Sequence, residues 1–162
     1  MNNSSARPAD GVERAVNTYG DMLYRLCLVM LGNNPDAEDA VQETVLKYIL
    51  SAPEFSDPEH EKAWLIRVAT NKCRDMLRYK TKHPVIGLEQ AENLSGNSSD
   101  SGILEALLEL PEKYRLVLML YYAEEYKTDE IARIIGKSAS AVKMRLMKGR
   151  KMLEEKYRKE FM

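Results

Sequence analysis

Cysteine and histidine are scarce in this 162-residue chain, with two of each. Cys27 and Cys73 stand far apart, neither in a C-x-x-C pair, and His60 and His83 are isolated, so metal-ligand spacing is absent. Each cysteine falls among apolar residues at helical spacing and reads as a small buried hydrophobe. No metal or other cofactor is expected, and no His/Asp/Glu or Ser/Cys constellation supports an enzyme acting on nucleic acid. Glycine and proline are few, 8 and 6, and no period-two alternation marks a strand. Leu, Met, Ala, Glu, Lys and Arg, all good helix formers, are plentiful, so the expected fold class is all-α. No run approaches the 18 or more apolar residues of a membrane span. The opening MNNSSARPAD lacks the apolar core of a signal peptide. A cytoplasmic protein without membrane insertion is the expectation.

Net charge is also nearly absent, −1 from 24 basic and 25 acidic residues, but its distribution is not even. Residues 1–61 hold 4 basic and 11 acidic side chains, whereas residues 62–82 hold 7 basic and 1 acidic. Residues 83–110 hold 5 acids and no base, and residues 111–162 hold 13 basic and 8 acidic. Two basic segments are thus separated by an acidic stretch, which suggests two surfaces for a polyanion and another for a different partner.

Hydrophobic spacing divides the chain. Val12, Val16, Tyr19, Leu23, Leu26 and Met30 line one face of a first helix over 12–31, with Gly32 as its stop. A second helix opens at GNNPDAEDA, where Asn34 can cap, Pro35 suits the first position, and Asp36, Glu38 and Asp39 favour the positive end of the dipole. Pro53 and Pro58 break it. A third helix runs from about Glu59 to Lys80, and Pro84 ends any helical pattern. ENLSGNSSDSG, residues 92–102, reads as a flexible polar linker. Helical pieces then follow at 103–109, 112–125, 128–135 and 139–158. Two small helical domains, 12–82 and 103–162, joined by a linker over 83–102, are expected, each with a modest core.

The last pieces carry a helix-turn-helix spacing. Thr128 caps a short helix, Ala132 is small where two helices cross, Gly136 sits where a turn needs positive φ, and Val142 points back to the core. Counted from Thr128, these are positions five, nine and fifteen, the pattern of a motif whose second helix enters the major groove. On a wheel of 139–153, Val142, Leu146, Gly149 and Leu153 cluster within about 60°. Ser140, Met144, Met147, Lys148 and Lys151 take the opposite side. Lys143 and Arg150 flank one edge and Arg145 the other. Exposed methionine among lysine and serine suits a groove, where amines reach phosphates or guanine edges and apolar groups touch thymine methyls.

The first basic segment, EKAWLIRVATNKCRDMLRYKTK, places Leu65, Ala69, Cys73, Met76 and Leu77 on one face and Arg67, Asn71, Arg74 and Arg78 nearly opposite. An asparagine among arginines can donate to and accept from a base edge, and arginine planes can stack on bases. Trp64 lies beside this face and is expected to pack under the preceding proline-containing loop. On the second helix Ala37, Val41, Val45 and Tyr48 face inward, while Asp39, Gln42 and Glu43 point away with Leu46 on their side. Such an acidic face with a leucine in it cannot favour DNA and suggests a protein-binding surface.

Taken in order, these stretches resemble the bacterial sigma factors of the extracytoplasmic-function (ECF) group, across nearly all of the chain after residue 12. YGDMLYRLCLVMLGNNPDAEDAVQETVLKYI is similar to the first part of a sigma-2 domain, EKAWLIRVATNKCRDMLR to its −10 reading part, and LLELPEKYRLVLMLYYAEEYKTDEIARIIGKSASAVKMRLMKGRKML to a sigma-4 domain. The resemblance implies a non-catalytic specificity subunit that binds core RNA polymerase through Asp39, Gln42, Glu43 and Leu46. It implies −10 contacts by Arg67, Asn71, Arg74 and Arg78, with the loop FSDPEHE helping to form a pocket for a flipped base. It implies −35 readers at Lys143, Met144, Met147 and Lys148, and phosphate contacts at Arg115, Ser138, Arg145 and Arg150, beside Ser140 and Lys151 on the same helix. An anti-sigma factor is the further implied partner. One departure is Gly149, where the family often has alanine. A stand-alone dimeric helix-turn-helix regulator would explain the C-terminal half but neither the Asn71 helix nor the Leu46 face.

Overall fold

The computed structural model describes residues 8–83 and 98–161. Among the described residues every regular element is helical. The chain divides into two compact units, Met1–Gly87 and Leu88–Met162.

In the first unit α1 spans Ala9–Leu31 and buries Tyr19, Leu23, Leu26, Cys27 and Met30. Val12 is half-buried, and Val16, on the same expected face, is exposed. Gly32 ends the helix at φ 85°, a left-handed turn that favours glycine, with its N–H donating to the Leu28 carbonyl at 2.8 Å. Only Gly32 and Asn33 separate α1 from α2, Asn34–Ser51. The second of them, Asn33, is the cap rather than Asn34, because it alone has the extended backbone a cap requires. Its Oδ1 accepts the Asp36 N–H at 2.9 Å, and Pro35 becomes the second helical residue. Asn34 instead accepts a hydrogen bond from the Tyr24 hydroxyl.

The α2 face turned inward consists of Ala37, Ala40, Thr44 and Tyr48, while Val41 and Val45 sit half-buried at its edge. The stripe is rotated from the one hydrophobicity suggests. Small alanines allow close approach, and the Thr44 hydroxyl satisfies itself on the Ala40 carbonyl at 2.8 Å. Helix α3, Pro58–Lys82, is capped by Asp57, whose Oδ1 accepts the His60 N–H at 2.8 Å. Leu65, Ala69 and Cys73 are buried as the pattern requires, joined by Ile66 and Thr70, while Met76 and Leu77 are half-buried. The three helices pack on one another pairwise, and both cysteines are fully buried, neither in a disulfide. Pro84 and residues 92–97 of the Gly/Ser-rich stretch lie outside the described residues.

In the second unit α4 spans Ser98–Leu108, so residues 98–102 of the expected linker are the first turns of a helix. A Ser/Asp run suits a helix start as well as a linker, since both offer side-chain acceptors to open N–H groups. Helix α5, Glu112–Leu118, continues as a π-helical turn over Met119–Ala123 in place of one α-helix to residue 125. Then come α6, Thr128–Ile135, and α7, Ala139–Phe161. Helix α7 packs on α4, α5 and α6 over a core that includes Leu110, Leu116, Leu120, Ile131, Val142 and Leu146. Among the described residues no helix is long and apolar enough to cross a membrane.

Candidate nucleic-acid interface

The turn between α6 and α7 orients the second helix. The Lys127 N–H donates to Glu130 Oε1 at 2.8 Å, so Lys127 holds the cap position and Thr128 is the first helical residue instead of the cap. Gly136 lies at φ 71°, where a side chain would be strained. The Ser138 hydroxyl accepts the Ala141 N–H at 3.1 Å and so starts α7.

On α7, Val142 and Leu146 are buried. Gly149 is buried too, and a Cβ there would lie 3.2 Å from Leu118 Cδ1 and 3.4 Å from Tyr114 Cβ. Helix α7 approaches α5 closely at this glycine. The far side presents Ser140, Lys143, Lys148 and Lys151 with Met144 and Met147, which are 50% and 57% exposed. Packing accounts for neither methionine. Arg145 is half-buried at one edge. At the other, Arg150 is exposed and donates to the Tyr122 hydroxyl at 3.0 Å, a partner in the π-helical turn that the sequence pattern did not suggest.

Arg115 departs from the phosphate-contact expectation. It is buried, and its Nη1 donates to the carbonyls of Leu110 at 2.6 Å and Leu108 at 3.3 Å. It ties the turn between α4 and α5 by satisfying carbonyls at a helix C-terminus, where a cation is favoured.

On α3, Arg67, Asn71 and Arg78 are exposed and Arg74 is half-buried, so the four share an outward face. Arg78 pairs with Asp75 one turn before it. On α2, Asp39, Gln42 and Glu43 are exposed, and Leu46 is 47% exposed. A cleft of about 470 Å³ runs between the two helices, lined by Glu43, Leu46, Leu50, Asn71 and Lys72 among others. Glu43 and Lys72 face each other across it at 3.8 Å. The structure therefore brings the acidic face and the asparagine face to one groove. Lys80, near the end of α3, pairs with Asp36 at the start of α2. Burial alone would raise the Asp36 carboxyl, but hydrogen bonds from Lys80 and Asn33 and the Lys80 charge hold it below its ordinary value.

Beneath the loop joining α2 to α3 lies a group that the sequence reading missed. Glu61 is buried, and its Oε2 accepts from the Tyr48 hydroxyl at 2.5 Å and from Arg14 Nη2 at 3.0 Å. The signal was present, since Glu61 continues the Leu65, Ala69, Cys73 stripe back by one turn. Trp64 packs against Phe55 of the loop at 5.8 Å between centroids, as expected.

Known families divide the chain in the same places. Residues 15–83 match the model described as Sigma-70 region 2, and residues 101–153 match Sigma-70, region 4. RNA polymerase sigma factor SigV of Bacillus subtilis is 34% identical over 141 residues, 85% of each chain. ECF RNA polymerase sigma factor SigW of the same organism is 31% identical over 168 residues, covering 92% of this chain and 90% of that one. The chain belongs to the ECF group of RNA polymerase sigma factors. In this sigma factor α1, α2 and α3 carry region 2, and the helix-turn-helix lies within region 4. Solved structures share the fold: the sigma factor RpoE in complex with the anti-sigma factor NepR from Bartonella quintana (TM-score 0.73, 18% identity, 94% of this chain and 99% of that one), and CnrH in complex with the cytosolic domain of CnrY (0.70, 24%, 94% and 91%).

Proposed function

We propose that this sigma factor binds core RNA polymerase through Asp39, Gln42, Glu43 and Leu46 of α2, and reads promoter DNA with two separate surfaces. Arg67, Asn71, Arg74 and Arg78 of α3, with the Phe55 loop, capture melted −10 strand. Ser138, Ser140, Lys143, Met144, Arg145, Met147, Lys148, Arg150 and Lys151 of α7 meet the −35 duplex. Residues 12–82 and 103–162 are the respective functional domains. The protein adds specificity to the polymerase without catalysis of its own, acts in the cytoplasm, and is held in check by an anti-sigma factor.

The observation that carries the reading is the exposed Met144–Met147 pair, ringed by lysines on the second helix of a helix-turn-helix. Apolar side chains are left in water there because the buried stripe on the opposite side already fills the core. A major groove offers thymine methyls to the methionines and phosphates or guanine edges to the amines. The test mixes the protein with sigma-free core polymerase and genomic DNA fragments and sequences the transcript starts. Starts that appear only with the protein and share two motifs at fixed spacing support the reading. DNA binding by the free protein with two-fold footprints and no new starts would replace it with a stand-alone dimeric regulator.

A further inference from the structure

A buried carboxylate is costly unless its oxygens are bonded and its charge is matched. Glu61, 5% exposed, meets both conditions through Tyr48 of α2 and Arg14 of α1, which converge on one of its oxygens from two other helices. Both the hydrogen bond and the charge of Glu61 raise the Arg14 guanidinium above its ordinary value. The Tyr19 hydroxyl adds a second tie from α1, donating to the Pro58 carbonyl at 3.2 Å, at the first residue of α3.

What Tyr48 carries gives the unit its importance. The residue is 2% exposed, and its ring lies nearly parallel to Phe55, with centroids 6.2 Å apart and 13° between planes. Phe55 also meets Trp64 and His60 edge-on, at 5.8 Å and 5.1 Å. The loop residues 52–57 have no regular structure. Phe55 is therefore positioned by the rings around it, and the deepest of them is held by Glu61. The Ser56 N–H, donating to His60 Nδ1 at 3.2 Å, closes the loop onto α3.

We infer that Glu61 is a positioning residue for −10 base capture, acting through the Tyr48 ring to set where Phe55 stands. This rests on the reading above that the Phe55 loop and Asn71 take the flipped base. Neither Glu61 nor Tyr48 touches DNA in this scheme. They hold the aromatic wall against which the base stacks, so that its geometry exists before the strand arrives.

The test uses the full chain with core polymerase on a promoter mapped as above, and follows open-complex formation by permanganate reactivity. Each variant is assayed on the intact promoter and on one with an abasic site at the captured position, found by scanning that lesion with the wild type. Tyr48→Phe and Glu61→Ala are expected to lower open-complex formation about tenfold on the intact promoter, the worth of one hydrogen bond to a charged group. On the abasic template they are expected to match the wild type. Glu61→Gln keeps an oxygen that can accept both bonds and is expected to retain most activity. Should Glu61→Ala fail to fold, Tyr48→Phe, which removes one oxygen, carries the test. Phe55→Ala separates the two readings. No base-dependent defect in Phe55→Ala overturns base capture by this loop. A base-dependent defect in Phe55→Ala, with Tyr48→Phe equal to wild type or equally impaired on both templates, overturns the positioning role of Glu61.

Discussion

Gly149 shows how one missing carbon can be set by two opposed effects. Glycine inside a helix costs about 1 kcal/mol relative to alanine. An added methyl would press on Leu118 Cδ1 at 3.2 Å, the rotatable end of a side chain, and meet Tyr114 Cβ at an ordinary 3.4 Å. A small shift of Leu118 relieves the first contact, so Gly149→Ala is expected to raise Tm by about 2–4 °C in a thermal melt, part of the propensity gain surviving. Gly149→Val adds a second branch with nowhere to go and is expected to lower Tm by about 5 °C or more. Asp36 gives a pH-dependent counterpart. Its folded-state carboxyl lies below the ordinary value, with burial opposing and Lys80 and Asn33 producing the net depression. The stability it adds is thus complete above the ordinary carboxylate range and disappears as pH falls through the depressed value. Asp36→Asn is expected to cost about 1 kcal/mol or less near neutrality, by denaturant titration, because Lys80 is partly exposed. The gap from wild type is expected to close in acid, and a gap that widens there would contradict the assignment.

At the scale of the element, α7 has two jobs on opposite faces. Val142, Leu146 and Gly149 dock it, and the outward face carries the charge and the methionines. Lys143→Ala plus Lys148→Ala leaves the docking face untouched. The pair is expected to weaken −35 duplex binding by about 1–3 kcal/mol per lost base contact, and each lost phosphate contact is expected to flatten the salt slope by about one. Polymerase binding is expected to be unchanged, and its loss would contradict the assignment of this face. The π-helical turn at Met119–Ala123 brings Tyr122 to Arg150, a contact between elements that no spacing rule along α7 contains. Arg115 is the same lesson reversed. The resemblance implied a phosphate contact at Arg115, but its guanidinium is buried on the open carbonyls of Leu108 and Leu110.

For the molecule as a whole, the arrangement of charge is more informative than its sum. A chain with net charge −1 has no general attraction for DNA, yet it concentrates basic side chains on α3 and α7 and acids on α2. The acidic face, with Leu46 half out of the protein, is the part least suited to a polyanion. Leu46→Ala is expected to weaken association with core polymerase about tenfold or more in a direct binding assay, as truncation of an interface anchor does. Duplex DNA binding is expected to be unaltered. Equal loss of both would show that the substitution had disturbed the fold of the first unit.

Much of this was legible beforehand because it depends on neighbours along the chain. Helical period, the glycine stops at Gly32 and Gly136, the outward faces of α3 and α7 and the exposed Leu46 all follow from side chains three and four residues apart. Boundaries and caps were displaced by a residue where two signals competed, as at Asn33 and Asn34. The tertiary structure alone decided which polar groups go inside. Glu61, Tyr48 and Arg14 come from three helices, and Arg115 depends on carbonyls in another element. Desolvation is set by everything packed around a group. No local pattern specifies it, and a lone acid on an apolar stripe is only the hint that a partner waits across the core.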